Sequence, residues 1–215
     1  MSRYFLLAAW LVTDMASAQS LLWDNGDWDG SSNVVSDRSV SKPERESWAV
    51  DDAIFLSDVV VDGLRWDAIL QGDYNPSSVD ILVLSDNFEK LIEIRDLSFE
   101  KELRGTDRGE PVYLIKTSQL NIHLPIGRYY FGGRTVSAGE ERGFTELRSD
   151  DPRGATEGYF RGAFYGFGDW TPLTGIFGQP QELAFKVYGE TVPEPTSLTI
   201  LGCVLAGVLL RRKMS

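Results

Sequence analysis

The sequence predicts an all-β fold, an antiparallel β-sandwich of jelly-roll-like topology, and three observations carry that expectation. Apolar residues alternate with polar ones at the two-residue period of a half-buried strand in segment after segment, while helical periodicity is scarce. Gly, Pro, Asn and Asp punctuate these segments at intervals of roughly eight to fifteen residues, as in all-β domains. The stretch between the two apolar chain ends, 19–191, has the length of one domain able to bury a real core. About eight strands in two packed sheets fit within it.

Taken in order, Ala49 to Phe55 reads as the first clear strand. Val59 to Leu70 follows, with Gly63 placed for a bulge or turn among Val59, Val61, Leu64 and Trp66. Gly72-Asp73-Tyr74-Asn75-Pro76 turns the chain into a buried strand at Val79 to Leu84. Phe88 to Leu97 fits a strand or a single short helix, and the alternation of Ile92 and Ile94 with Glu93 and Arg95 favours the strand. Glu100 to Glu110 is charged and runs into Gly109-Glu110-Pro111, so it reads as a loop before strands at Val112 to Ile115 and Leu120 to Leu124. The sole histidine, His123, lies on the polar side of that last alternation, an exposed strand position. Pro125-Ile126-Gly127 leads into an aromatic strand, Arg128 to Phe131, that ends at Gly132-Gly133. Gly139 to Glu157 is polar with little to bury and reads as a long loop. Gly162 to Leu173 is aromatic strand and turn, and Glu182 to Gly189 closes the domain with Leu183, Phe185 and Val187 on one face.

The chain ends have a different character. Arg3, the apolar run Tyr4 to Val12 and Ala16-Ser17-Ala18 before Gln19 stand in the order of a secretory signal peptide, with Ala16 and Ala18 as the small residues of the cleavage site. At the other end, Val192-Pro193-Glu194-Pro195 precedes an uncharged run from Leu198 to Leu210 and then Arg211-Arg212-Lys213. That run covers roughly 20 Å as a helix, less than the roughly 30 Å of a bilayer core. The basic residues favour the cytoplasmic side and can snorkel to lengthen the span, and Gly202, Ala206 and Gly207 suit close packing in lipid. A buried C-terminal helix is the plainer alternative; the basic cluster and two prolines that stop any preceding strand weigh against it.

Val192 to Ser215, so ordered, resembles the PEP-CTERM sorting signal of bacterial secreted proteins. The resemblance implies that Val192, Pro193, Glu194 and Pro195 are recognition residues for an exosortase, an integral-membrane cysteine protease that cuts near the Pro-Glu-Pro. It implies that Arg211, Arg212 and Lys213 hold the cytoplasmic end of a short transmembrane helix, and that exosortase and the secretion machinery are transient partners. Trp23-Asp24-Asn25-Gly26, Val50-Asp51-Asp52-Ala53-Ile54-Phe55 and Ala184-Phe185-Lys186-Val187-Tyr188-Gly189-Glu190 also resemble the ends of a β-rich exported domain found ahead of such tails, a domain type that implies no activity. The expected organisation is a signal peptide at 1–18, a β-sandwich domain at 19–191 and a sorting signal at 192–215. The expected location is the cell envelope, anchored in the inner membrane until processing and then at the surface or in the extracellular matrix.

Composition narrows the function classes. Between the two ends 17 Lys and Arg face 30 Asp and Glu. So acidic a surface repels phosphate backbones, and no nucleic-acid partner is expected. The only cysteine, Cys203, lies in the apolar tail, so the exported domain forms no internal disulfide. A single histidine excludes multi-histidine zinc sites and a Cys/His catalytic pair.

Three clusters carry the remaining chemistry. Asn25, Asp27, Asp29 and Gly30 follow the N-x-D-x-D-G start of a calcium loop, but Ser36 stands at the twelfth position, where a bidentate Glu belongs, and the same residues equally make plain turns. The aromatic residues offer Trp28, Tyr165 and Trp170 as glycan contacts, since flat rings stack on sugars; core packing accounts equally well for alternating aromatics. The pairs Asp51-Asp52, Glu140-Glu141 and Asp150-Asp151 are candidate carboxylates of a glycosidase, or ordinary solvated acid. The expectation is an envelope or matrix protein with a non-enzymatic structural or binding role, no catalytic residue and no cofactor beyond calcium. Calcium-assisted binding of an extracellular polysaccharide is the first alternative, and glycan hydrolysis the second.

Overall fold

The computed structural model describes residues 19–30, 32–72, 74–148 and 157–193. Ala16 and Ala18 of the signal peptide, Glu194 and Pro195 of the sorting motif, Arg211, Arg212 and Lys213, and the pair Asp150-Asp151 lie outside the described residues. In chain order the strands are β1 (Ser20–Asp24), β2 (Ser32–Val35), β3 (Asp37–Ser39), β4 (Trp48–Phe55), β5 (Val59–Leu70), β6 (Ser78–Ser85), β7 (Lys90–Leu97) and β8 (Glu100–Asp107). They continue as β9 (Glu110–Lys116), β10 (Ile122–Leu124), β11 (Gly127–Ser137), β12 (Gly143–Arg148), β13 (Tyr159–Gly162), β14 (Phe167–Pro172), β15 (Glu182–Leu183) and β16 (Phe185–Thr191).

The long strand β5 is the spine of the first sheet. β16 and β12 pair along one of its sides, and β10 and β9 along the other, all antiparallel. β1 extends beyond β16, β8 beyond β9, and β2 and β15 pair with β12. The second sheet runs β14-β13-β4-β11-β6-β7, again antiparallel, with β3 lying parallel to β11. The antiparallel all-β sandwich expected from the alternation is therefore what the chain forms.

The two-residue period decides what lies between the sheets. Val59, Val61, Leu64, Trp66 and Ala68 of β5, with Ile115, Leu147, Phe185 and Val187, face Ala49, Ala53, Phe55, Val79, Ile81, Val83 and Phe131 from the second sheet. Phe131 and Phe185 meet across the interface with ring centroids 6.4 Å apart. Each of the larger aliphatic and phenyl side chains, fully buried, contributes about 1.5–3 kcal/mol. Gly63 sits at the expected bulge: the β16 register skips there, with Tyr188 opposite Gly63 and Gly189 opposite Val61.

Three expectations are corrected. β11 does not end at Gly132-Gly133 but runs through them to Ser137. A Cβ at 132 would lie 2.5 Å from the Ala49 carbonyl oxygen, and one at 133 would lie 2.8 Å from the Trp66 ring, so the glycines admit neighbours instead of breaking the strand. The charged stretch from Glu100 is not a loop: β8 forms a hairpin with β9, turning at Arg108-Gly109. An edge strand needs only backbone pairing and one covered face, so exposed Glu100, Lys101 and Glu102 are compatible with it. The polar stretch 139–157 contains β12, whose Thr145, Glu146 and Leu147 are all buried. His123 is exposed between buried Ile122 and Leu124, as its place in the alternation predicted.

Candidate functional site

The face of the second sheet turned away from the core is not simply solvated. Because Ala49 and Ala53 point inward, Trp48, Val50 and Asp52 of β4 point outward, and the same alternation presents Leu82 and Leu84 of β6 and Tyr130 of β11. Trp48, Val50, Leu82, Leu84 and Tyr130 make a second buried cluster, covered by Phe88, Tyr159 and Trp170. The β13–β14 hairpin carries Tyr159 and Trp170 onto this face by pairing with the first half of β4. Phe88 reaches it from the β6–β7 turn, where its φ is 60° and its amide donates to the Ser85 carbonyl at 3.0 Å. Its ring stacks on Tyr130 at 4.4 Å and lies nearly parallel to Trp170 at 6.0 Å.

Beside these rings lies a cleft of about 340 Å³ whose apolar wall is Trp48, Phe88 and Trp170. Lys90, Arg95 and Arg161, with Glu46 and Glu93, supply its charge. A second depression of about 280 Å³ shares Glu46, Trp48 and Arg161 with it, so the two form a continuous groove.

The floor is an alternating ion network. Arg134 is 0% exposed; its guanidinium lies 3.8 Å over the Trp48 ring and donates to Asp80 at 2.8 Å and to Glu46 at 2.6 Å. Arg38 donates to the same Asp80 at 2.7 Å and to Asp96 at 2.6 Å. Arg95 reaches Glu93 at 2.5 Å and Glu46 at 3.6 Å, and Lys90 reaches Glu93 at 2.9 Å. Burial alone would raise the Asp80 and Glu93 carboxyls, but the hydrogen bonds from Arg38 and Arg134, and from Lys90 and Arg95, outweigh it and hold both below the usual range. Arg161 differs: it lies over the Trp170 ring at 5.1 Å, and among the described residues no carboxylate pairs with it.

The sequence-based candidates are distributed around the molecule. Trp170 lines the groove. Tyr165 does not; it packs against Phe160 and Phe164 with Arg142 over its ring at 5.3 Å. Trp28 lies against Gly30 and Gly105, on the β8–β9 hairpin. Asn25 is buried, accepting from Trp23 Nε1 at 2.6 Å and donating to Asp51 at 3.1 Å. Asp27 pairs with Lys186 at 3.1 Å and Arg104 at 3.5 Å, and Asp29 is exposed. Among the described residues no three His, Cys, Asp or Glu side chains are grouped to hold a metal ion. Asp51 and Asp52 are both buried and alternate across β4, Asp51 accepting from the Leu183 amide at 2.7 Å and Asp52 facing Arg128 at 3.5 Å, so they do not address one substrate together. Glu140 and Glu141 are exposed. The groove residues Glu46, Trp48, Phe88, Glu93, Arg95 and Arg161 were not singled out from the sequence; the alternation of Glu93 and Arg95 with Ile92 and Ile94 was the one signal that could have placed any of them on a shared outer face.

Of the sorting residues, Val192 and Pro193 are described. β16 ends at Thr191, and the Val192 amide donates to the Asp58 carbonyl at 2.8 Å, so the motif begins where the chain leaves the sheet. Residues 191–213 match the family model of the PEP-CTERM protein-sorting motif. No curated protein matches the chain. The motif implies an exported protein that is anchored in the membrane before exosortase processes it.

Proposed function

We propose that this exosortase-sorted protein is a non-enzymatic binding module of the cell surface or extracellular matrix, and that its groove on the second sheet holds an anionic polysaccharide. The observation that carries the reading is the composition of that groove: the half-buried rings of Phe88 and Trp170, backed by buried Trp48, beside Arg161, a cation without a carboxylate partner among the described residues. Indole and phenyl faces cover the apolar faces of sugar rings, and a guanidinium suits the planar carboxylate of an acidic sugar. In a chain with a net charge of −11, the joined groove sets three cations, Lys90, Arg95 and Arg161, against three carboxylates, Glu44, Glu46 and Glu93, and is locally neutral, with the cations in excess in the larger cleft. The two joined depressions suit a chain longer than one sugar.

Hydrolysis is the weaker reading on chemical grounds. Glu46 and Glu93 both lie within 3.6 Å of the same Arg95 nitrogen. A glycosidase acid needs a carboxyl held above its ordinary range, whereas Glu93 is held below it. The test is a glycan array of neutral and uronic-acid-containing polysaccharides probed with the purified full-length protein. Acidic chains are expected to bind, with roughly a tenfold or greater loss in Trp170→Ala, equivalent to about 1.4 kcal/mol, and a comparable loss in Arg161→Gln. Binding that ignores both substitutions, or no binding to any polysaccharide, removes the proposal.

A further inference from the structure

The outer face of the first sheet holds carboxylates in a different setting. β5 and β12 pair up to Ala68 and Thr145. Just beyond, Ala184 is wedged between them, its amide donating to the Glu146 carbonyl at 3.1 Å and its carbonyl accepting from the Asp67 amide at 3.2 Å. Asp67 and Glu146 flank this wedge on the side away from the core, since Trp66, Ala68 and Leu147 point inward. Leu183 and Phe185 also take the core side, so Ala184 shares the outer side with the two acids.

The segment 24–30 roofs the site. Gly26 and Gly30 turn it at φ 93° and 75°, the Trp28 amide faces the Asp67 carboxylate, and Arg148 fixes the turn by donating to the Asn25 carbonyl at 2.5 Å. Glu146 is 0% exposed and Asp67 is 2% exposed. Among the described residues, neither carboxylate oxygen of Glu146 has a hydrogen-bond partner, and neither does Asp67 Oδ1.

Nearby cations are engaged elsewhere. Lys186 pairs with Asp27 at 3.1 Å and Asp24 at 3.5 Å, Arg104 with Asp27 at 3.5 Å, and Arg108 with Asp107 at 3.7 Å. Asp107 and Asp29 add negative charge toward Glu146. Burial, with Asp107 and Asp67 beside it, pushes the Glu146 carboxyl up to about 8, and burial pushes Asp67 up to about 6 against the pull of Arg104. Asp67 keeps the Trp28 amide and Glu146 has only the more distant charge of Arg108, so burying both acids is costly unless a proton or a cation is supplied.

We propose that Glu146 and Asp67 are the two carboxylate ligands of a hard divalent cation, calcium or magnesium, seated beneath the segment 24–30 with water completing its shell. Both ions take oxygen ligands, and two carboxylates balance their charge. This site differs from the calcium loop expected from the sequence: the loop is the roof, and the ligands come from strands far apart in the chain. It is also independent of the groove on the second sheet.

Purified full-length protein, freed of metal with chelator, is titrated at neutral pH with calcium chloride and with magnesium chloride while Tm and the heat of binding are followed. The site predicts a saturable rise in Tm of about 5–10 °C at roughly one hundred times Kd, with the preferred ion giving the larger shift. Glu146→Gln abolishes the rise, and Asp67→Asn, the second variant should the first fail to fold, reduces it. The proposal is overturned if neither cation moves Tm and metal-free stability simply declines with rising pH, which would mean that the pair holds a proton only. A response that survives both substitutions overturns it equally.

Discussion

The two sheets bury charge on their outer faces in opposite ways. Around Arg134, charges alternate: Arg38, Asp80, Arg134, Glu46, Arg95 and Glu93 each meet a partner of opposite sign. Around Glu146, carboxylates meet carboxylates, and the local cations Lys186, Arg104 and Arg108 make their ion pairs with Asp24, Asp27 and Asp107. Similar burial therefore moves pKa values in opposite directions. Asp80, held low, contributes stability that is present at neutral pH and lost as pH falls through its folded pKa. Glu146 is raised from 4.5 to about 8, so the folded protein keeps a proton that the unfolded chain gives up between those values. Metal-free stability then falls as pH rises across that window.

The largest effect is expected where alternation is broken. Arg134→Ala leaves Asp80 buried and half-answered, and should cost about 3–5 kcal/mol in denaturant unfolding at neutral pH. Arg134→Met, which fills the space over Trp48 without charge, should cost no less while Asp80 stays ionised; Arg134→Met with Asp80→Leu should recover much of the loss. An Arg134→Ala cost below about 1 kcal/mol, the range of exposed pairs, would erase the contrast between the two faces. Next comes a change of opposite sign. Glu146→Gln in metal-free protein should stabilise by about 1–3 kcal/mol near pH 8, the range for an unsatisfied buried group, and by little near pH 4.5, where wild-type Glu146 is already protonated. Urea unfolding at the two pH values measures it; a wild-type profile that is flat between them contradicts the account of the acidic face.

The sequence made one of these faces more legible than the other. Alternation revealed the strands whose inner residues are apolar, such as Val79, Ile81 and Val83, because period two and hydrophobicity coincide there. It failed at β8, where an edge strand needs no apolar face, and at β12, where buried Glu146 looks like surface acid. The N-x-D-x-D-G pattern drew attention to the loop that roofs Glu146 and Asp67, but Glu146 lies more than a hundred residues further on, and only the pairing of β5 with β12, opened by Ala184, brings the two acids to one place. Trp170 was singled out as an aromatic; its neighbours Trp48 and Phe88 come from the interior strand β4 and from a turn, and no local pattern encodes their meeting. The sorting motif was legible because a membrane protease reads a linear segment, without need of a fold.

The smallest expected effect tests the groove itself. Glu46 and Arg95 stand 3.6 Å apart with side chains 33% and 48% exposed, so a double-mutant cycle with Glu46→Gln and Arg95→Gln should give a coupling of about 0.2–1 kcal/mol, weakened by salt. Glu46 with Arg134, at 2.6 Å and with the arginine buried, should couple more strongly. The inequality has a functional consequence. A weak Glu46–Arg95 pair leaves the side of the Arg95 guanidinium not held by Glu93 available to an incoming anionic ligand, while the Glu46–Arg134 pair keeps the floor fixed beneath it. If the rim pair proves as strong as the floor pair, Arg95 is committed to the protein, and Arg161 alone must account for any preference for acidic sugars.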